Sequence, residues 1–327
     1  MKKVAILIPE HSTIHVVAIT RFMFETVNQF LIGSGREKLF EVKLVGQQRQ
    51  MQLIDGPFMV SPDLLIHEVS DTDLIIIPPT AGDFRATISA NQNSIQWIIA
   101  QHQKGAEVAS LCVGAFLLAA TGLVNGKKCS THWGFNDDFR AMFPEVILQD
   151  GKIVTDEDGI YSSGGANSCW NLVLYLIEKY ADREMAILTS KFFAIDIDRT
   201  SQSSFAMFKG QKEHQDEAIK KAQEYIENNV EEKFTVEDLA ERVALGRRSF
   251  ERRFKLATNN SVLEYIQRVK IEAAKRSIES SRKNINEVMF DVGYTDTKAF
   301  RSTFKKITGL SPIEYKNKYN KVDYGIM

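Results

Sequence analysis

Two kinds of apolar pattern alternate along residues 1–190. Short apolar runs predict strands at residues 4–8, 40–45, 74–77, 105–111, 152–155 and 160–163. Longer stretches with apolar side chains every three to four positions predict helices at residues 20–31, 93–104, 113–121 and 168–180. Strands that alternate with helices are typical of a mostly parallel sheet with helices on both faces. The sequence therefore predicts an α/β domain over residues 1–194.

The pattern changes after this domain. Residues 195–212 have weak periodicity and contain three serines and Gly210, which predicts a linker. Residues 213–230 form an amphipathic stretch typical of a helix, and residues 262–281 have the spacing of a longer helix. We therefore predict an all-α domain over residues 213–327.

An internal repeat lies within this second domain. A shift of 50 residues aligns seven identical positions in a window of sixteen. The matched pairs are Phe250 with Phe300, Phe254 with Phe304, Lys255 with Lys305, Thr258 with Thr308, Ser261 with Ser311, Glu264 with Glu314 and Tyr265 with Tyr315. A short amphipathic stretch precedes each copy, at residues 236–243 and 285–292. A short helix, a tight turn and a basic second helix form a helix-turn-helix, so two such motifs are predicted, joined by the long helix.

The second helix of each copy is predicted to read DNA. Residues 247–258 and 297–308 each contain two phenylalanines four positions apart, which anchor one helix face in a core. Leu245-Gly246 and Gly293 are predicted to make the preceding turns. The polar and basic side chains left on other faces are the predicted DNA contacts: Arg247, Arg248, Ser249, Arg252, Arg253, Thr297, Lys298, Arg301, Ser302 and Lys305.

The predicted helix over residues 262–281 determines the separation of the two copies. Twenty residues at about 1.5 Å each give about 30 Å. That length can hold two helices about one DNA turn, roughly 34 Å, apart on one face of a duplex. We therefore expect double-stranded DNA as a partner.

The charge distribution supports this interpretation. The formal net charge is −1, but residues 1–210 carry 18 basic and 23 acidic side chains, whereas residues 211–327 carry 23 and 19. A run of charges is more often a solvated helix face than a binding surface. Here the duplication, the phenylalanine pairs and the basic excess on both second helices together favour DNA binding.

The repeat also carries a family resemblance. Residues 285–315, with Val292-Gly293-Tyr294, Phe304-Lys305-Lys306 and Ser311-Pro312, resemble the signature of the AraC/XylS family of bacterial transcription regulators. The resemblance covers about residues 215–320 and implies a sequence-specific regulator, with RNA polymerase as a candidate partner. This chain departs from the family at Met289, where alanine is usual, and at residues 259–262, where Gly-x-Ser/Thr-Pro is usual.

Cys112 is the sharpest candidate for chemistry in the first domain. The segment Ala109-Ser-Leu-Cys112 predicts a strand that runs into the cysteine, and a helix starts directly after it. The dipole at a helix N-terminus can lower the pKa of such a thiol. His132 follows twenty residues later, and a cysteine with a histidine is the minimum for nucleophilic catalysis.

This region resembles the ThiJ/PfpI branch of the class I glutamine amidotransferase-like fold. The resemblance covers about residues 3–185 and implies a flavodoxin-like α/β domain. Fused to an AraC-type module, it is similar to the GlxA-type regulators, whose first domain is thought to sense small, often nitrogen-containing metabolites and to dimerise. The resemblance therefore implies a small-molecule effector and a homodimer. The implied ligand site or vestigial nucleophile site comprises Cys112, His132, His15 and Thr80.

Two departures from that family argue against catalysis. Its members often carry a glutamate near the cysteine, just after the first strand, where this chain has Ser12-Thr-Ile-His15. Their Pro-Gly-Gly turn supplies backbone donors to an oxyanion, but here it reads Pro78-Pro-Thr80, and proline has no N–H. We therefore predict a non-enzymatic domain. Cys112 remains open as a ligand contact or redox-sensitive thiol, as a hydrolytic nucleophile with His132, or as an inert core residue.

The remaining features narrow the class of protein. His11 and His15 are interpreted as ordinary loop residues, so no metal and no cofactor are predicted. Gly164-Gly165 precedes a long helix and either cradles a ligand anion or makes a tight turn for packing. No apolar run reaches the roughly 18 residues of a membrane span. The three cysteines suit a reducing cytoplasm better than a disulfide scaffold.

Overall fold

The computed structural model describes residues 1–53 and 58–320; residues 321–327, the end of the predicted all-α domain, lie outside the described residues. The chain divides into two compact units, the first ending at Gln202 and the second beginning at Ser203. This division falls inside the predicted linker. Ile195 and Ile197 pack against the core of the first unit, whereas Phe208 packs into a core of the second. The segment 195–212 is therefore shared between the two units.

The first unit alternates strands and helices. Its strands are β1 (Lys2–Ile8), β2 (Phe40–Gly46), β3 (Met51–Gln52), β4 (Met59–Val60), β5 (Leu64–Leu65), β6 (Leu74–Ile77), β7 (Glu107–Ser110), β8 (Lys128–Cys129), β9 (Ile147–Leu148), β10 (Val154–Glu157) and β11 (Ile160–Ser163). Its helices are α1 (Ile14–Gly33), α2 (Phe84–Ala90), α3 (Gln92–Gln103), α4 (Ala115–Ala120), α5 (Asn136–Met142), α6 (Cys169–Tyr180) and α7 (Arg183–Phe192). Short 3-10 helices lie at Ile66–Glu68, Cys112–Gly114 and Trp133–Phe135.

A single mostly parallel sheet organises the first unit. Seven strands of the described chain pair in the order β10-β11-β7-β6-β1-β2-β5, and only β10 with β11 is antiparallel. The central order β2-β1-β6-β7-β11 is the 2-1-3-4-5 order of flavodoxin-like sheets. The predicted α/β fold is thus confirmed. Two further strand pairs, β3 with β4 and β8 with β9, lie outside the sheet.

The apolar run in β1 is continuous because both faces of the sheet are covered. Val4, Ile6 and Ile8 belong to a core that also contains α1 and α6. Ala5 and Leu7 belong to a second core that contains α3 and α4. Alternate side chains of a strand point to opposite faces. Where helices cover both faces of the sheet, both sets of side chains are buried and apolar.

Several elements of the first unit were not predicted from the apolar pattern. The strands β3, β4, β5, β8 and β9 have two residues each, too few to show a period. Helices α2 and α7 begin instead at a capping side chain. The carboxylate of Asp83 accepts from Ala86 N, and that of Asp182 accepts from Met185 N. Such caps satisfy otherwise unpaired amides of the first turn.

Helices alone form the second unit within the described residues. They are α8 (Glu217–Asn228), α9 (Val236–Arg242), α10 (Arg247–Thr258), α11 (Val262–Ser280), α12 (Ile285–Asp291), α13 (Thr297–Thr308) and α14 (Pro312–Tyr319), preceded by a 3-10 helix at Ser203–Phe205. The pairs α9–α10 and α12–α13 are the two predicted helix-turn-helix motifs, and α11 joins them. At 19 residues α11 is about 28 Å long.

The identities of the repeat are the residues that build each half. Phe250, Phe254 and Tyr265 are buried together in one core, and their three counterparts are buried together in another. Ser261 and Glu264 form a capping box at the start of α11, as their counterparts do at the start of α14. Apart from the exposed pair Lys255 and Lys305, the repeat thus preserves core and caps, and most of the outward positions of α10 and α13 differ.

The turn of the first helix-turn-helix differs from the prediction at Leu245-Gly246. Gly246 has an ordinary φ of −69° and is the N-cap of α10. The left-handed residue is Ala244, with φ 54°, whereas Gly293 occupies the equivalent position of the second motif with φ 72°. A left-handed residue with a Cβ costs roughly 1–2 kcal/mol. The first turn therefore depends on the packing of its neighbours.

Gly114 provides a test of how closely the turn after β7 approaches β6. A Cβ at Gly114 would lie 2.6 Å from Ile77 O and 2.8 Å from Pro78 O. We expect Gly114→Ala to lower the free energy of unfolding by about 1–3 kcal/mol, because backbone atoms must shift. Gly33 at the end of α1 has nothing within 4 Å of the same position, so Gly33→Ala is the matched control. Equal stability of the two variants in urea unfolding would contradict the close approach.

Candidate functional site

The carboxyl ends of three neighbouring parallel strands, β1, β6 and β7, meet at one edge of the sheet. The loops that follow β1 and β6 interlock there. Thr13 N donates to Pro79 O at 3.2 Å, and Ala81 N donates to His11 O at 2.9 Å. The strand order reverses between β1 and β6, and open α/β sheets bind ligands outside the strand ends at such a reversal.

Two buried hydroxyl groups lie in these interlocked loops. Ser12 and Thr80 form an isolated antiparallel bridge, and both residues are buried. Neither hydroxyl oxygen has a hydrogen-bond partner among the described residues. Buried polar groups are normally paired, so two adjacent unpaired hydroxyls are suited to a ligand or a water molecule. Thr80 is a predicted site residue, whereas Ser12 was predicted only as part of the segment that replaces the family's glutamate.

Cys112 stands at the predicted passage from strand to helix. Strand β7 ends two residues before it, and the 3-10 helix Cys112–Gly114 leads directly into α4. Its φ of 55° places it in the left-handed region. Its N–H donates to Ser163 Oγ at 3.3 Å, and its carbonyl accepts from Thr131 Oγ1 at 3.3 Å. The backbone of this turn is therefore held on two sides.

The thiol of Cys112 differs from the expectation that a helix dipole lowers its pKa. The side chain is buried, and burial raises the pKa of the thiol to about 12. Desolvation of the thiolate outweighs the backbone hydrogen bond from Val113, which acts to lower the pKa. Cys169 at the start of α6 and Cys129 in β8 are also buried, and burial raises the pKa of both thiols.

His132 lies at the start of the 3-10 helix Trp133–Phe135. Its Nδ1 accepts from Gly134 N at 3.0 Å, and partial burial lowers the pKa of the imidazole. The lowered pKa favours the neutral form of the ring. Among the described residues no hydrogen bond joins this ring to the Cys112 thiol; the neighbouring Thr131 bonds the cysteine carbonyl instead. The contact by which a base activates a nucleophile is absent from this arrangement.

His15 lies on the first turn of α1 and is exposed. It belongs to the same loop region as Ser12, so three of the four predicted residues, His15, Thr80 and Cys112, follow the ends of adjacent strands. The described residues contain no group of three or more His, Cys, Asp or Glu side chains placed to hold a metal ion. None of the described helices is long and apolar enough to cross a membrane.

Gln202 contacts the residues around His132, and no sequence pattern predicted this role. It is the last residue of the first unit, and its side chain is 1% exposed. Its Nε2 donates to Thr131 O at 2.8 Å and to Lys152 O at 3.2 Å, and its Oε1 accepts from Trp133 N at 3.1 Å. Gln202 therefore holds the main chain on both sides of His132.

Gly164 leaves room for this side chain. A Cβ at Gly164 would lie 2.0 Å from Gln202 Nε2 and 2.8 Å from Lys152 O. Of the two roles left open for Gly164-Gly165, anion cradle or tight packing, this contact accounts for Gly164 by packing. Gly165 follows with φ 70°, a conformation that favours glycine.

The recognition helices α10 and α13 present the predicted DNA contacts to solvent. Phenylalanines bury the opposite face of each helix, which leaves the polar face outward. Of the predicted contacts, Arg247, Arg248, Ser249 and Arg252 are exposed on α10, and Thr297, Lys298, Arg301, Ser302 and Lys305 are exposed on α13. Both helices thus have a surface with a basic excess, as duplex phosphates require.

Two predicted DNA contacts have protein partners. Arg253 is only partly exposed and donates from Nε and Nη2 to Asp216 at 2.8 and 2.6 Å. This bidentate pair holds the pKa of the Asp216 carboxyl below its usual range and fastens α10 to the start of α8. Arg247 pairs with Glu237 and, at 3.4 Å, with Glu251. These pairings compete with a DNA contact, most strongly at Arg253.

Comparison with known proteins matches both units. The DJ-1/PfpI family model matches residues 23–179, and a helix-turn-helix domain model matches residues 239–318. The HTH-type transcriptional regulator ArgR of Pseudomonas aeruginosa is 26% identical over 66% of this chain and 65% of its own length. GbdR of the same species is 26% identical over 85% of this chain and 75% of its own. GlxA of Rhizobium meliloti is 21% identical over 64% of each chain. The matches thus span about two thirds to three quarters of these regulators.

A solved structure agrees with the fold of the first unit. A protein from Vibrio parahaemolyticus, described as a transcriptional regulator, superposes with a TM-score of 0.53 at 22% identity, over 58% of this chain and 98% of its own.

A DJ-1/PfpI domain followed by a tandem helix-turn-helix defines a class of DNA-binding regulators. The matches show a DJ-1/PfpI-type domain at residues 23–179 and an AraC-type helix-turn-helix domain at residues 239–318 of this chain, the composition of a DNA-binding transcriptional regulator.

The three buried thiols give a direct chemical test of Cys112. With a pKa of about 12 its thiolate fraction is small at pH 7.5 and still only about one part in a thousand at pH 9. We expect iodoacetamide to leave all three cysteines of the native protein unmodified over minutes, and to alkylate all three in guanidinium. Peptide mass spectrometry identifies each site. Rapid modification of Cys112 in the native protein would support a nucleophilic or redox role.

Proposed function

We propose that this protein is a sequence-specific transcription regulator that acts as a homodimer in the cytoplasm. Its tandem helix-turn-helix reads DNA, and its first domain binds a small, nitrogen-containing metabolite without chemical conversion. The observation that carries the proposal is the pair of exposed basic helices, α10 and α13, at equivalent positions of a duplicated fold. The helix α11 between them is about one DNA turn in length.

The two recognition helices divide the work of DNA binding. Arg252 lies near the middle of the exposed face of α10, and arginine suits the guanine edge in the major groove. Lys305 lies in the last turn of α13, where a flexible ammonium suits a phosphate. We therefore assign Arg252 to sequence reading and Lys305 to positioning on the backbone.

The edge of the sheet beyond the ends of β1 and β6 is the proposed effector site. The unpaired hydroxyls of Ser12 and Thr80 offer neutral donors and acceptors there. The lowered pKa of His132 and the raised pKa of Cys112 also favour the neutral forms of both side chains. A neutral polar lining favours recognition by hydrogen bonds over ion pairing with a strongly charged ligand.

Gln202 is the proposed route from this site to DNA. Its side chain bonds the residues on both sides of His132, and the next residue, Ser203, begins the DNA-binding unit. A ligand that shifts the His132 segment must therefore strain or release Gln202. Such a shift reaches the residue directly before the DNA-binding unit, which is how we propose that ligand binding is coupled to DNA affinity.

Selection of genomic fragments on the purified full-length protein, at about 150 mM salt, tests the function. The expected result is one enriched motif with two half-sites. If no motif is enriched and all bound fragments are lost alike as the salt concentration rises, the result would contradict sequence-specific regulation. Nonspecific binding rests on phosphate contacts alone.

Single substitutions then test the division of roles. Arg252→Ala should weaken binding to the selected site by about 1–3 kcal/mol and relax one base position. Lys305→Ala should weaken binding to all sequences alike and lower the salt slope by about one unit. Lys221→Ala, an exposed charge on α8, is the control. Fluorescence anisotropy over a salt series measures both quantities. Equal effects of both variants on selected and random DNA would refute the assignment.

Gln202→Ala tests the proposed route. It leaves Trp133 N and Thr131 O unpaired and should lower the stability of the first unit by about 1–3 kcal/mol. A nitrogen-containing compound that raises the Tm of the wild type should still bind the variant, but should no longer change its affinity for the selected DNA. Gln215→Ala, at an exposed glutamine, is the control. If the compound changes the DNA affinity of Gln202→Ala as much as that of the wild type, Gln202 does not couple the two sites.

A further inference from the structure

Lys270 is a buried lysine in the middle of α11. It is 6% exposed, although lysine is rarely buried without partners. Its ammonium donates to three main-chain carbonyls, Val230 O at 2.7 Å, Glu232 O at 2.8 Å and Val292 O at 2.9 Å. An ammonium has three N–H donors, so every donor is used.

The three carbonyls come from both halves of the DNA-binding unit. Val230 and Glu232 lie in the loop between α8 and α9, beside the core of the first helix-turn-helix. Val292 is the C-cap of α12 in the second. One cation therefore bonds both halves. Aromatic rings from the same two regions flank it, Phe234 at 5.6 Å and Tyr294 at 6.0 Å from the nitrogen.

The two halves also touch directly at Gly293. A Cβ at this residue would lie 2.2 Å from Glu231 O and 2.7 Å from Lys270 Nζ. The turn of the second motif thus packs its backbone against the loop that precedes the first. Glycine at this position is required by the contact as well as by its φ of 72°.

Lys270 carries its charge at pH 7. Burial lowers the pKa of its ammonium to about 8, while the Glu231 carboxylate acts to raise it and Lys233 acts to lower it further. At pH 7 all three N–H donors are therefore present. A neutral side chain in the same place would leave carbonyls of one half or the other without a donor.

We propose that Lys270 is a positioning residue that fixes the relative orientation of α10 and α13 and thereby selects the spacing of the two DNA half-sites, which are the elements read by α10 and by α13 of one subunit. The proposal rests on the proposed function, because it needs both helices to contact DNA. The two cores are separate, and α11 contributes to each. Without the hydrogen bonds of Lys270, each half keeps its own core, and the two halves can rotate relative to each other about the axis of α11. Each half then reads its half-site as before, but the permitted distance between half-sites broadens.

The experiment uses the full-length protein and a pool of duplexes in which two half-sites, taken from the wild-type selection, are separated by varied lengths. Lys270→Met removes the charge and all three donors, while Lys270→Gln keeps an amide with two N–H donors. Lys221→Met removes the same charge from the exposed face of α8 as the matched control. Circular dichroism confirms folding, and sequencing of the bound duplexes gives the spacing distribution.

The wild type and Lys221→Met should enrich one spacing. Lys270→Met should lower the preference for that spacing about tenfold, with Lys270→Gln intermediate, since buried charged hydrogen bonds are worth about that much. The motif within each half-site should stay unchanged. An unchanged spacing preference in both folded variants would overturn the proposal, as would loss of the half-site motifs themselves. Loss of helical structure in both variants would make Lys270 a folding residue and overturn its positioning role. Absence of any motif for the wild type would count against the proposed function instead.

Discussion

The DNA-binding unit depends on one constraint: a single helix, α11, is shared by two separate cores. Tyr265 and Val269 are buried with the first recognition helix, whereas Ile271 and Ile278 are buried with the second. Helices transmit orientation along their length because each residue is fixed to its neighbours by the backbone hydrogen bonds. The shared helix therefore fixes the separation of the two motifs along α11, while their rotation about that helix depends on contacts between the halves. Lys270, between these two sets of residues, adds a polar bond to each half at the point where the cores meet.

The first unit depends on close backbone approach rather than on a shared helix. The turn after β7 passes so near the ends of β6 that only glycine fits at Gly114, and the Gln202 side chain fills the space that Gly164 leaves open. These contacts lie at the same edge of the sheet as Cys112 and His132. The proposed site is consequently surrounded by closely packed backbone, which limits rearrangement of the strands around it.

Much of this architecture can be predicted from the sequence. The continuous apolar runs predict buried parallel strands, because both faces of the sheet are covered. The repeat predicts the recognition helices, because all but one of its identities are core or capping residues of each half. What the sequence does not show are contacts between residues far apart in the chain. Gln202 bonds residues some 70 positions away, Arg253 pairs with Asp216 across 37, and Lys270 bonds carbonyls 22 to 40 positions away. The raised pKa of Cys112 could not be predicted either. The helix dipole follows from the local sequence, whereas burial of the thiol depends on residues far away in the chain.

The division between conserved interior and variable exterior of the repeat has a consequence for how such a protein changes over time. The two halves share their core and caps but differ where they face outward: Arg252 corresponds to Ser302, and Arg248 to Lys298. A substitution on one outward face leaves the fold of both halves intact. Each half can therefore acquire a new base preference one step at a time, while the other keeps the protein on its old site. A protein with two such motifs can change its promoter through intermediates that each still bind DNA.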